Sequence, residues 1–154
     1  MKLSRMLSTA SKLETLINDY LPQLKNISED KLSYKPLPAK WSKKEIVGHL
    51  IDSAQNNIRR FIVAQYEDNP MIRYDQDKWV AITNYQHMDP SLIIELWYLL
   101  NKQISSILQN TTKEAAQRTS KTEDIHTIEW LAEDYIRHLK HHMHQVLELE
   151  PFVY

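Results

Sequence analysis

Apolar residues recur at three- and four-residue intervals along four stretches of this 154-residue chain, with polar residues between them. In the first stretch, from about Ser4 to Lys25, Leu13, Leu16, Ile17, Tyr20 and Leu24 line one face of a predicted helix. Pro22 interrupts that pattern, so a kink or an early end is expected there, because proline has no N–H for the helical ladder. A loop with Pro36 and Pro38 follows. The second helix starts sharply, since Ser42 and Glu45 have the spacing of a capping box, and it runs to about Tyr66. The third opens on Asp89-Pro90, an N-cap followed by proline at the first helical position. Leu92, Ile93, Leu96, Trp97, Leu100, Ile104, Ile107 and Leu108 form its apolar stripe. The fourth begins near Thr127 and reaches about Glu148, with Pro151 beyond its end.

Between the second and third helices lies a connection that begins Glu67-Asp68-Asn69-Pro70 and passes Tyr74, Asp75 and Trp79 before His87. At about 20 residues it is too long for a plain connector, so it is expected to hold a short helix and to cover a site. The pattern as a whole predicts an all-α four-helix bundle in a single domain, residues 1–154.

Composition removes several alternatives. Gly48 is the only glycine, so no phosphate-cradling loop or dinucleotide fingerprint can be written, and tight primed hairpin turns are disfavoured. Cysteine is absent, which excludes disulfides, a thiolate nucleophile and sulfur-ligated zinc. Net charge is −1 and the Lys and Arg residues are dispersed, so nucleic acid is not an expected partner. No apolar run approaches the roughly 18 residues of a membrane span. The N-terminus, Met1 to Arg5, lacks the features of a secretory signal, and a cytoplasmic location is expected.

Candidate chemistry lies with the histidines. His138 and His142 are four residues apart and share one side of the last helix. At about 100° per residue, His142 falls inside the edge of the buried arc of Ile128, Leu131, Tyr135, Ile136, Leu139, Met143 and Val146, and His138 at its margin. His141 and His144 fall outside that arc, where they would complement the helix dipole. On the second helix His49, Ser53, Asn56 and Arg60 make a polar stripe beside the apolar face, with Asp52 one step further round and Gln55 and Arg59 toward solvent. Three imidazoles from two helices are a ligand set for a divalent metal with open positions. A pair of histidines on a helix margin also serves as hydrogen-bonded structure in many proteins. His87 and His126 fall in connections.

Several motifs in order strengthen the metal reading. Trp41-Ser42, His49-Leu50-Ile51-Asp52-Ser53, Asn56, Arg60-Phe61, Asn69-Pro70, Tyr74-Asp75, Trp79 and His138-Leu139-Lys140-His141-His142 together resemble the DinB/YfiT-like superfamily, from about Ser28 onward. The resemblance implies a four-helix bundle of up-down-down-up connectivity, often a homodimer, with a divalent metal, commonly nickel or zinc, on His49, His138 and His142. It implies either a transferase that uses a low-molecular-weight thiol or a metal-dependent hydrolase, acting on a small-molecule substrate. In the YfiT-like branch a histidine often follows the Asp-Ser pair; here that position is Ala54.

The same ligands would serve activation of water or of an incoming thiol. Asp52 and Asn56 are candidates to orient ligands or act as a general base. Arg60 would pair with a carboxylate of a substrate or thiol cofactor, or bridge to Asp75 and fix the long connector. Asp134 is one turn before His138 and could accept its free ring N–H. Tyr74 and Trp79 could close over the site or belong to the core. The alternative in another class is a non-catalytic metal-binding or dimerising bundle with a stress-linked role; such a site would be closed by a fourth protein ligand.

Overall fold

Side-chain caps fix where each long helix begins. In the computed structural model, which describes residues 4–154, Ser4 accepts from the Leu7 N–H, Asp89 from Ser91 and Thr127 from Trp130. Ser42 and Glu45 form the reciprocal capping box. Met1, Lys2 and Leu3, part of the stretch read for a leader, lie outside the described residues. The helices are α1 (Arg5–Lys25), α2 (Glu29–Ser33), α3 (Lys43–Val63), α4 (Gln76–Thr83), α5 (Pro90–Gln109) and α6 (Ile128–Val146). A hairpin of β1 (Thr119–Lys121) and β2 (Ile125–Thr127) precedes α6. Pro22 does not end α1 early: it sits in the last turn, and its carbonyl still accepts from the Asn26 N–H at the cap. No helix among the described residues is long and apolar enough to cross a membrane.

Cross-helix bonds give the directions. Along α1, Ala10, Glu14 and Asn18 meet Ser105, Lys102 and Tyr98 of α5, so these two run antiparallel. Arg5 meets Glu129 and Glu133, and Tyr20 meets His144, so α1 and α6 run parallel. Lys43 at the start of α3 donates to the Val146 carbonyl at the end of α6, which sets those two antiparallel. Gln65, just past α3, reaches Thr111, just past α5, so α3 and α5 run parallel. The four long helices are therefore up-down-down-up around a core that includes Leu13, Ile17, Leu50, Phe61, Trp97, Ile104 and Leu139.

Parallel neighbours cannot be joined by a short turn, and this is why the connection between α3 and α5 is long. It contains the expected short helix, α4, followed by a 3-10 turn, Tyr85–His87. Tyr85 is buried with its ring against Gly48, where a Cβ would overlap the ring atoms. Its hydroxyl donates to Asp52 at 2.6 Å. Gln86 accepts from Ser42 and donates to the Ser33 carbonyl, tying the connection to α2 and to the α3 cap. The sole glycine of the chain thus admits an aromatic ring to the helix backbone.

The hairpin is a departure from the all-helical expectation. Its turn, Thr122–Asp124, closes without glycine, and Lys121 pairs outward with Pro70 and Ile72 of the connection. Arg118 holds the carbonyls of Ala64 and Glu67. Strand pairing between two loops therefore fixes the segment that carries Tyr74.

Gly48→Ala is expected to lower stability by about 1–3 kcal/mol through overpacking against Tyr85. Urea unfolding of Gly48→Ala, Tyr85→Ala and the double variant checks this: the double variant should lose little beyond Tyr85→Ala alone.

Candidate metal centre

Antiparallel packing of α3 on α6 places the second turn of one beside the last turns of the other. His49 Nε2 and His138 Nε2 stand 3.1 Å apart. The ring centroids of His49, His138 and His142 are 4.9, 4.9 and 4.6 Å apart, and one nitrogen from each ring lies within 4.8 Å of the others. His49 is buried at 1% exposure; His138 and His142 are half-buried. The Trp41 ring tilts over His49 at 5.0 Å.

Burial holds these rings neutral. It lowers His49 from 6.5 to about 4, helped by His142, and His138 to about 3, helped by its histidine neighbours. His142 is also lowered by burial, against its bond to the Gln145 side-chain oxygen. Neutral imidazoles have lone pairs to offer. The 3.1 Å spacing suits two ligands of one ion, given metal–nitrogen bonds of about 2.0–2.1 Å. His142 Nδ1 contacts Gln145 Oε1 at 3.0 Å, leaving Nε2 for the cluster, and such an outer bond is what orients a ligating imidazole. His49 Nδ1 is buried without a partner. The donor set fits a divalent transition-metal ion.

A pocket of ≈ 200 Å³ opens beside His138, lined by Ser53, Asn57 and Arg60 of α3, by Trp130, Asp134 and Tyr135 of α6, and by Tyr74, His126 and Tyr154. Of Asp52, Asn56 and Arg60, Arg60 is the one that lines it. Its Nε and Nη2 donate to the Ile72 carbonyl at 3.1 and 2.8 Å, so the connector is fixed through a backbone oxygen and not through Asp75, which caps α4. Asp52 lies under Tyr85 at 1% exposure, one oxygen bonded to that hydroxyl and the other without a partner. Burial pushes its carboxyl up to about 6, against the Tyr85 bond. Asn56 donates to the Asp52 backbone carbonyl and is buried as well. Helical angles place Asp52 outside the stripe, and the connection covers that side.

Other histidines find structural partners. His141 and His144 are half-buried, contacting the carbonyls of Phe152 and Glu150, and so hold the C-terminal segment against α6. Tyr154 of that segment donates to Asp134 at 2.6 Å; Asp134 also meets Arg137 and has no bond to His138. Trp79 packs edge-on against Tyr74 at 5.5 Å, outside the pocket lining. His126 stacks on Trp130 at 3.5 Å. The sequence reading left His126 in a connection without a partner and passed over Trp130, although Trp130, Asp134, His138 and His142 recur every four residues along one stripe.

The metal-free protein should lose stability as pH falls from about 7 to 4.5. The folded pKa values of His49 and His138 lie below 6.5, so their contribution is complete above about 6.5 and is lost toward about 4 and 3. Asp52 opposes them, because its folded value of about 6 exceeds 3.8, but three histidines outweigh one carboxyl. The His49 share is on the order of 3 kcal/mol, since each tenfold change in proton affinity is worth about 1.4 kcal/mol. Urea midpoints across this range check it, and His49→Gln should flatten the slope.

Comparisons with known proteins agree with this arrangement. The DinB superfamily profile matches residues 12–146. YfiT of Bacillus subtilis, provisionally named a metal-dependent hydrolase, is 30% identical over 71% of this chain and 64% of its own length. A relative from Halalkalibacterium halodurans with the same provisional name is 28% identical over 67% of this chain and 61% of its own. The chain thus spans less than two thirds of the length of these relatives. A solved structure of Bacillus subtilis YfiT, described as a four-helix bundle of unusual topology, superposes with a TM-score of 0.77 at 25% identity, over 90% of this chain and 84% of that one. By profile, sequence and fold, this chain belongs to the DinB superfamily.

Proposed function

We propose that His49, His138 and His142 hold one divalent cation, nickel or zinc, and that the chain is a metal-dependent enzyme acting on a small molecule by hydrolysis or by transfer to a small thiol. The observation that carries this reading is the gathering of three neutral imidazoles from two helices, His49 standing 89 positions before His138, with His138 in the wall of a pocket. A bound divalent ion would supply Lewis acidity, polarising an acceptor and easing proton loss from water or a thiol.

The side chains support this division of labour. Gln145 holds the His142 ring, and Trp41 keeps solvent from His49. The chain has no cysteine, and the pocket hydroxyl of Ser53 meets the Asn57 amide with no imidazole or carboxylate bonded to it. The attacking group therefore comes from solution. Among the described residues no fourth His, Asp or Glu joins the cluster, which favours an open catalytic site over a closed structural one. The provisional names of the relatives favour hydrolysis.

Purified protein loaded with nickel or zinc should bind one ion per chain. His142→Ala should weaken that binding at least about 100-fold while circular dichroism stays unchanged, because alanine favours the helix. Ester and amide hydrolysis and thiol conjugation of an electrophilic test compound, assayed side by side, should fall with the metal. Full metal content in His142→Ala would overturn the assignment.

A further inference from the structure

Arg60 is the only Lys or Arg lining the pocket beside His138, and no carboxylate bonds to it among the described residues. Its guanidinium has five N–H groups. Two meet the Ile72 carbonyl and a third makes a long 3.4 Å contact to Asn57 Oδ1, so two have no protein acceptor. Burial works against its charge, while Tyr74 and Asp134 nearby support it. Tyr74 offers a ring at 5.9 Å from Cζ. Asp134, the one carboxylate among the lining residues, is already shared between the Tyr154 hydroxyl and Arg137.

Arg60 therefore keeps two N–H donors and no ion pair of its own within the pocket. The pull on an anion grows if a dication sits on three neutral histidines, a step that rests on the functional reading above. Beside its polar groups the lining includes aromatic rings, Tyr74, Tyr135 and Trp130, the last backed by the stacked His126. The volume of ≈ 200 Å³ is below the range of about 300–1,000 Å³ for drug-sized ligands, so the occupant is compact. Arg60 and Tyr74 also border a more open pocket of ≈ 580 Å³, which gives a route to the guanidinium from outside.

We propose that this pocket selects a small organic carboxylate with a flat apolar body, its anionic head on Arg60 and its reacting end toward His138. Arg60 then acts as the specificity determinant and at the same time fixes the connector through Ile72. A guanidinium suits this task because its planar fork matches a carboxylate.

The test uses benzoate and its uncharged counterpart benzamide as probes, with the metal-free full chain, followed by calorimetry and by tryptophan fluorescence. Benzoate should bind saturably and benzamide at least roughly tenfold more weakly. Arg60→Met should bring benzoate down to the level of benzamide and leave benzamide unchanged. A purely structural role would move both probes alike. Should Arg60→Met fail to fold by circular dichroism, Arg60→Lys decides: its preference for benzoate should fall at least roughly threefold, since an ammonium lacks the fork. His142→Ala should keep the preference even as it loses metal, so failure of the metal assignment is read separately. Equal binding of the two probes, no saturable binding of either, a preference that survives in the Arg60 variants, or one that appears only with metal present would each overturn the proposal.

Discussion

The arrangement depends on the antiparallel contact between α3 and α6. That contact is set at one end, where Lys43 in the first turn of α3 meets the Val146 carbonyl at the end of α6. Cation and carbonyl are complementary there, since the end of a helix carries partial negative charge. Once the ends are matched, the second turn of α3 must face the last two turns of α6. His49 then has nowhere to go except against His138 and His142. Burial does the rest by making protonation of any of the three costly.

Running α3 parallel to α5 has a price, which is the long crossing between them, and the fold uses that crossing. It first continues the hairpin edge through Pro70 and Ile72, then lays Tyr85 on Gly48 and buries Asp52 under it. The side of α3 that carries Asp52 is covered in this way. Two walls of the pocket, Tyr74 and the β-hairpin side, come from segments outside the four long helices. The residues that shape the cavity are therefore less regular than those that shape the core.

This difference explains what could be read in advance. The long helices, their caps and the inward turn of His49, His138 and His142 follow from periodicity, because 3.6-residue geometry acts over neighbouring turns. The same arithmetic separates Gln55 and Arg59, both exposed, from the buried stripe. It could not place Asp52, whose surroundings are set by a tyrosine 33 positions away, nor the strand pair, which short polar segments without glycine do not announce. Nor could it tell that His141 and His144 hold the C-terminal segment, since that is decided by chain that has no period of its own.

The distance in sequence between the histidines has a further consequence. His49 and His138 are separated by 89 positions, and the chain contains no cysteine to tie such remote points together. An ion shared by the two would act as a reversible crosslink closing a long loop of the unfolded chain. Its effect would come chiefly from the conformations it denies to that loop, as with a disulfide. Withdrawing the ion would leave the same core but a chain free to open from both ends.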